Sequence, residues 1–383
     1  MVKNASSAPN AGPLAGLVVA DFSRVLAAPY ATMMLADMGA TVIKVEAPTG
    51  DEARQWMPPE RDGKSTYFMS VNRNKQSIAL DLNDPEDRET AYAIIDRADV
   101  FVENFRIGSL DKFGLGSEDI EKRWPNLVHA KVTGFGTGAG ASLPGYDMVA
   151  QAASGFMSIT GSPQGDPQRA GFAIFDVFAG VHLAMGILAA LRNGGGRVET
   201  NLMSTALSSM VNATSAAVAA QVTPMRQGND HPSLFPYGPF QAADRPLIIT
   251  IGNNRQFASM VDVLGAPGLA TDERFESVKQ RNHNREELRE NLEDLLSAKT
   301  AEEWIPLLSA KNVPCGLIRT IPEGVDYAER LGLEPVVNIN GEPYTANPLS
   351  FSSGSIQYNS PAPELDGDRS NILDWIQTVP PKK

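Results

Sequence analysis

The stretch GLVVADFSRVLAAPYATMMLADMGATVIKVEAP, residues 16–48, decides the fold class. It reads as a buried strand, "GLVVADFS", a helix, "APYATMMLADMG", opened by proline and closed by glycine, and a second strand, "ATVIKVEAP". Both strand runs are nearly continuous in apolar residues, the pattern of strands covered on both faces. The alternation continues downstream. "QSIALDL", "DVFVENF" and "LVHAKVTGFG" read as strands, and "PEDRETAYAIIDRA" as a helix with Pro85 near its first turn. Strands alternating with helices of roughly ten or more residues imply βαβ units and a parallel sheet. A helix over 177–192 is followed by a glycine turn, a short strand and another helix in "RNGGGRVETNLMSTALSSMVN". The segment "QVTPMRQGNDHPS" then marks a boundary. A smaller unit follows, with a strand at "RPLIITIG" and helices at "NRQFASMVDVLG", "REELRENLEDLLSAK" and "AEEWIPLLSAKNV". A loop and a short helix in "PELDGDRSNILDWI" close the chain.

The chain has 383 residues, enough for two domains or for one large domain with an insertion. Its formal net charge of −12 argues against nucleic acid as a partner, while a local basic patch still permits a small anionic ligand. The N-terminal "MVKNASSAPNAGP" lacks the apolar core of a signal peptide and reads as a disordered tail. No apolar run is long and pure enough to read as a membrane span, so the cytoplasm is the expected compartment. Cys315, the sole cysteine, cannot form an intramolecular disulfide and reads as a buried, inert thiol. The four histidines, His129, His182, His231 and His283, show no metal-ligand spacing, and His231 falls in an interdomain loop.

Two carboxylates stand out. Asp176 lies in "AGFAIFDVFAGVHLAMGILAAL", residues 170–191, between a short apolar run and a long one. Its local signal is that of a helix N-cap. An N-cap carboxylate is held ionised by the helix macrodipole, and the small residues Ala179 and Gly180 would let a ligand approach it. Such a carboxylate can serve as a nucleophile. Asp147, in "LPGYDMVAQAASGFMSITG", reads as a turn or cap aspartate or as a second acid. "VTGFGTGAGAS" carries G-x-G-x-x-A, but "SLPGYD" breaks any helix there and no acidic residue closes a strand about twenty residues on. A glycine loop bordering a pocket fits better than a dinucleotide fingerprint. "FMSVNRNKQSI" and "VENFRIGSLDKFG" place asparagines, Arg73, Lys75, Arg106 and Lys112 near strand ends. Open α/β sheets bind ligands there, and these side chains suit either phosphates and a pantetheine-like amide chain or a solvated surface.

Together and in this order, the segments resemble the family III CoA-transferases, the CaiB/BaiF group typified by formyl-CoA and carnitine CoA-transferases. The resemblance runs from about residue 14 to residue 375 and rests on "DFSRVLAAPYATMMLADMGATVIKVEAPTGD", "SVNRNKQSIALDL", "ADVFVENFRIGSLDKFGLG", "GYDMVAQAASG", "DVFAGVHLAMGILAAL", "GNDHPSLFPYGPF" and "VPCGL". It implies an α/β fold: a Rossmann-like large domain formed by both chain ends, an inserted smaller α/β domain, and an interlocked homodimer. The expected division is a disordered tail over 1–13, a large CoA-binding domain begun by 14–195, a linker over 196–231, a small domain over 232–325 and a return segment over 326–383.

By motif position, the resemblance implies that Asp176 is the nucleophile and Asp147 an auxiliary acid. It sets Leu26, Ala27, Val71, Asn72, Arg73, Asn74, Asn104, Phe105, Arg106, Lys112, Gly145 and Tyr146 on the CoA-binding walls. Coenzyme A and acyl-CoA enter as substrates together with a small carboxylic acid; no tightly bound cofactor, metal or membrane is implied. The implied chemistry passes through a mixed anhydride and an aspartyl-CoA thioester.

The α-methylacyl-CoA racemases and epimerases share the fold and are the alternative. They carry a histidine immediately before the acid of the G-x-D turn, where this chain has Tyr146, and a phenol's high pKa makes it a poor base near neutral pH. A dinucleotide-dependent oxidoreductase is disfavoured by Pro144 in the glycine loop, and a non-catalytic CoA-binding homologue stays open. Four departures point away from a formyl/oxalate pair toward a less polar acid, or put contacts in question. Leu26 replaces a glutamine, Ala47 an arginine and "LDGD" the pattern L-G-x-H, and no glycine-rich loop precedes "LIITIG".

Overall fold

The computed structural model describes residues 12–382, so the expected N-terminal tail lies outside the described residues except at Gly12 and Pro13. Gly12 is buried, with its backbone against Met38 and Gly39. The chain packs as two compact units. One comprises residues up to 156, 169–222 and 332 onward; the other comprises 157–168 and 223–331.

The first unit is built on six strands: β1 (Val18–Asp21), β2 (Thr41–Glu46), β3 (Lys75–Ala79), β4 (Val100–Glu103), β5 (Val128–Thr133) and β6 (Gly196–Asn201). Their order is β3-β2-β1-β4-β5-β6 and every pairing is parallel. The register sets Val19 beside Val42 on one side and Val100 on the other. The chain winds outward from β1 through β2 and β3, then returns to begin β4 on the far side of β1. The loops leaving β1 and β4 therefore diverge, which opens a crevice at the carboxyl ends of these strands.

The helices are α1 (Ala27–Asp37), α2 (Pro85–Ile95), α3 (Ser117–Arg123), α4 (Asp147–Ala153), α5 (Ile174–Asn193) and α6 (Leu202–Ser209). Pro85 stands in the first turn of α2 as its sequence foretold, and Asp84 caps that helix by accepting from Glu86 and Asp87 N–H. Alternate strand residues divide the core. Val100, Val102, Val128 and Ala130 pack with α1 and α5, whereas Phe101 packs with Ile94, Ile95 and Ile120. Ile372, on a helix at Arg369–Thr378, joins the second cluster, so both ends of the chain build this unit.

Residues 196–219, expected within a linker, instead form β6, α6 and the helix Val211–Ala219 of the first unit. The reason is that β6 pairs along its whole length with β5 and extends the sheet. Residues 326–331 stay with the second unit, so the return begins at 332. The second unit carries an antiparallel sheet in which Pro246–Thr250 lies between Cys315–Leu317 and Tyr237–Gln241. Helices at Asn254–Val263, Arg285–Leu296 and Ala301–Ala310 close over Phe240, Leu247, Ile249, Phe257, Leu292 and Trp304.

Helix α5 has 20 residues, 18 of which average a hydropathy of 2.0, long and apolar enough to cross a membrane, against the sequence expectation of no such run. Asp176 and Arg192 lie at its ends, and His182 interrupts an otherwise apolar interior. Its Phe175, Ala179, Gly180, Leu183, Ala184 and Ile187 face is buried in the unit's core. The opposite stripe, Phe178, Val181, Met185 and Leu188, is exposed.

Ala179 and Gly180 do not open space for a ligand. Ala179 is fully buried, and a Cβ on Gly180 would lie 2.5 Å from the Ala27 carbonyl oxygen, so α1 occupies that space. Gly180→Ala should therefore cost about 1–3 kcal/mol through overpacking. Gly324→Ala, in a helix with open space around it, should be neutral or stabilise by about 0.5–1 kcal/mol. Urea unfolding of the two variants checks the contrast.

Candidate active site

The crevice between β1 and β4 forms a cleft lined by residues 24–27, 104–107, 132–136, 140–141 and 143–146, together with Glu52, Asp176 and Leu202. Its two lips are tied together. Asn104 donates from Nδ2 to the Arg24 carbonyl at 2.7 Å and accepts the Arg24 N–H at 2.9 Å. The next residue, Val25, sits at φ 68°, a region costly for a β-branched side chain. It is held there because both Asp51 oxygens accept its N–H at 3.2 Å. Asp51 pairs with fully buried Lys44 at 2.9 Å, and Lys44 also donates to the Ser23 carbonyl at 2.8 Å. Burial opposes both charges, but the partners win: Asp51 is lowered by Lys44, and Lys44 is raised by Asp51 and Asp21. The glycine segment borders the cleft as expected. Gly134 and Gly145 meet backbone to backbone, a Cβ on Gly145 falling 2.3 Å from the Gly134 Cα.

Asp176 is not the N-cap of α5. That position is Ala173, which has no side chain to cap with, and Asp176 is the third helical residue. The cap comes from Asp147, 28 residues before Phe175 and the first residue of α4. Its Oδ1 accepts the N–H of Phe175 at 2.7 Å and of Asp176 at 3.3 Å, while its Oδ2 accepts from Gln151 Nε2. The half-buried Asp176 carboxylate accepts no hydrogen bond among the described residues and faces the cleft. Burial, reinforced by the charge of Asp147, pushes its pKa up to about 7. The expectation of a carboxylate held firmly ionised by the helix dipole therefore fails, because the free N–H groups that express the dipole are occupied by the other acid.

The structure separates the residues read from the sequence. Leu26, Ala27, Asn104, Phe105, Arg106, Gly145 and Tyr146 line the cleft with Asp176. Val71, Asn72, Arg73 and Asn74 do not. Asn72 donates to the Phe68 carbonyl and accepts from Lys75; buried Arg73 is bidentate to Asp37 at 2.9 and 2.6 Å. Asn74 donates to Asp37 and accepts from the N–H groups of Asn359 and Ser360. These side chains brace the unit internally, and cations and amides near a strand end look alike in sequence whichever task they have. Lys112 also lies off the cleft, its ammonium 4.5 Å from the Phe113 ring centroid. Arg24 and Arg106 line the cleft and have no acidic partner among the described residues.

No histidine lines the cleft; His231 Nδ1 instead accepts two N–H groups of its own turn, from Ser233 and Leu234. Cys315 is half-buried rather than buried as expected, and its partial burial raises the thiol. Among the described residues no cluster of His, Cys, Asp and Glu is fit to hold a metal. Two residues escaped the sequence reading. Tyr67 is raised by burial and by the charges of Asp176 and Asp147, and Gln151 holds Asp147. Tyr67 carries no local pattern. The spacing of Gln151 four residues after Asp147 on a helix was the available signal.

The profile of CoA-transferase family III matches residues 14–369. The chain belongs to this family. It is 37% identical to an acetyl-CoA:oxalate CoA-transferase of Acetobacter aceti over 93% of each chain. It is also 37% identical to a succinyl-CoA:glutarate CoA-transferase of Mus musculus, over 95% of this chain and 86% of that one. A crystal structure of a CAIB/BAIF family protein from Brucella suis, 34% identical, superposes with a TM-score of 0.86 and covers 96% of this chain and 100% of that one. This CoA-transferase carries two acids coupled through one helix end. In it, Asp147→Asn keeps an oxygen for the Phe175 N–H but removes the charge. The Asp176 titration, followed by carboxyl-carbon NMR, should then move below its parental position of about 7; an unmoved titration would leave burial as the sole cause.

Proposed function

We propose that this enzyme transfers CoA from an acyl-CoA thioester to a free carboxylic acid through covalent bonds to Asp176. The observation that carries the reading is the unpartnered Asp176 carboxylate at the floor of the switch-point cleft. The carboxylate attacks the thioester carbonyl, the C–S bond breaks, and CoA leaves as a thiolate with a mixed anhydride behind it. The thiolate then attacks the aspartyl carbonyl and expels the first acid as its carboxylate. The resulting aspartyl-CoA thioester is attacked by the acceptor carboxylate, and the thiolate so released takes the acceptor's acyl group and frees Asp176. No proton is consumed in the cycle. Dividing an exchange between weak nucleophiles into such steps is what covalent catalysis supplies.

Arg24 and Arg106 are assigned to the CoA phosphates, and Lys112, farther out, to the distal end of the nucleotide. Leu26, Phe135, Leu143 and Leu202 add apolar side chains to the cleft that Asp176 lines. They favour an acid with methylene groups, as in glutarate, over oxalate, the two acids that appear in the relatives' names. The exposed α5 stripe with Val211 and Val218, exposed 70% and 76%, is assigned to a second copy in an interlocked homodimer in the cytoplasm. Sedimentation equilibrium should return twice the chain mass, and Met185→Glu should shift it toward one.

Asp176→Asn should fold and lose transfer by at least ~10³-fold, and hydroxylamine should trap an adduct on the 170–191 peptide of the parent alone. The parental rate should fall tenfold per pH unit below about 7, where Asp176 takes up a proton. Stability has the opposite sign. The folded pKa lies above the unfolded one, so between about 4 and 7 the folded state binds the extra proton and loses stability as pH rises. Asp176→Asn should thus melt higher than the parent at alkaline pH, with the difference vanishing toward pH of about 4.

A further inference from the structure

We propose that Gln151 is a positioning residue for the nucleophile, its buried amide holding the Asp147 carboxylate and the chain that enters α5 in one geometry beneath Asp176. This rests on Asp176 as the nucleophile. Gln151 is fully buried, one turn after Asp147 on α4. Its Nε2 donates to Asp147 Oδ2, and its Oε1 accepts the Ala170 N–H at 2.8 Å. A carboxylate only accepts and a backbone N–H only donates, so the orientation of the amide is dictated by its partners. The two Asp147 oxygens thereby have separate duties: Oδ2 is occupied by Gln151, and Oδ1 is left for Phe175 and Asp176 N–H. The segment from Ala170 to Asp176 is thus pinned at both ends by neighbouring side chains of α4.

The position demands a donor and an acceptor at the same reach. A methionine there supplies neither. A glutamic acid supplies both, but only while it carries a proton: its O–H donates to Asp147 and its carbonyl oxygen accepts from Ala170. Once that proton leaves, two carboxylates face each other across a hydrogen-bond distance. The other charged or titratable groups tied to these contacts are Asp176, whose N–H donates to Asp147, Tyr67, whose phenol is raised in part by the charges of Asp176 and Asp147, and Arg169, whose guanidinium donates to the Ala170 carbonyl.

The test is the rate of adduct formation at Asp176 with an acyl-CoA across pH, trapped with hydroxylamine and read by peptide mass, with far-UV circular dichroism at each pH. The parent should rise to a plateau. Gln151→Glu should give a bell, with an alkaline limb absent from the parent and no loss of helix signal along it. Gln151→Met should slow adduct formation by about tenfold or more at every pH with the acyl-CoA KM unchanged. A Gln151→Glu profile of parental shape, or a Gln151→Met rate equal to the parent's, overturns the proposal. Because Gln151→Glu is compared with itself across pH, a poorly folding methionine variant still leaves the alkaline limb to decide. Absence of any adduct in the parent would instead strike the assignment of Asp176.

Discussion

The carboxylate of Asp147 is committed to the N–H groups that open α5, and the character of the site follows from that commitment. A helix beginning at an alanine has orphan donors, and in a packed unit they must be met from elsewhere. Asp147 meets them from a different helix, which places a second negative charge under Asp176. Asp176 is then left without donors of its own, partly withdrawn from water and pushed toward neutrality. The electrostatics of Asp176 are thus set by burial and by a neighbour on another helix rather than by its own place on α5.

The surrounding frame includes buried ion pairs on and beside the first three strands. Asp21 pairs with Lys75, Lys44 with Asp51, Glu46 with Arg54, and Asp37 with Arg73. Desolvation makes such pairs weak contributors to net stability, while loss of one partner is costly. Their value here is geometric. Lys44 and Asp51 hold Ser23 and Val25, Asn104 holds Arg24, and the left-handed turn at Val25 delivers Leu26 and Ala27 to the cleft. Backbone in a costly conformation persists where several interactions over-determine it, and such places gather at functional sites.

Much was legible in the sequence. The apolar runs at 17–22 and 41–46 announce strands buried on both faces, Pro85 marks a helix start, and the glycine segment before Asp147 borders a cleft. Asp176 and Asp147 were visible as an acid pair because each stands against an apolar background within a motif. Their roles at the helix end were not visible. Both fit the local signature of a cap, and the choice depends on which one lies in front of the free N–H groups after a loop of 20 residues and more has folded back.

The amino-acid sequence by itself determined strand and helix type, the parallel sheet and the identity of the two acids, because periodicity and local hydrogen-bonding capacity are properties of neighbouring residues. Tertiary structure alone decided that Gly180 serves helix packing, that Arg73 and Asn74 brace the unit away from the cleft, and that Asp147 caps while Asp176 stays free. A donor or acceptor declares its capacity in the sequence; its partner is chosen only when distant segments are brought within about 3 Å of each other.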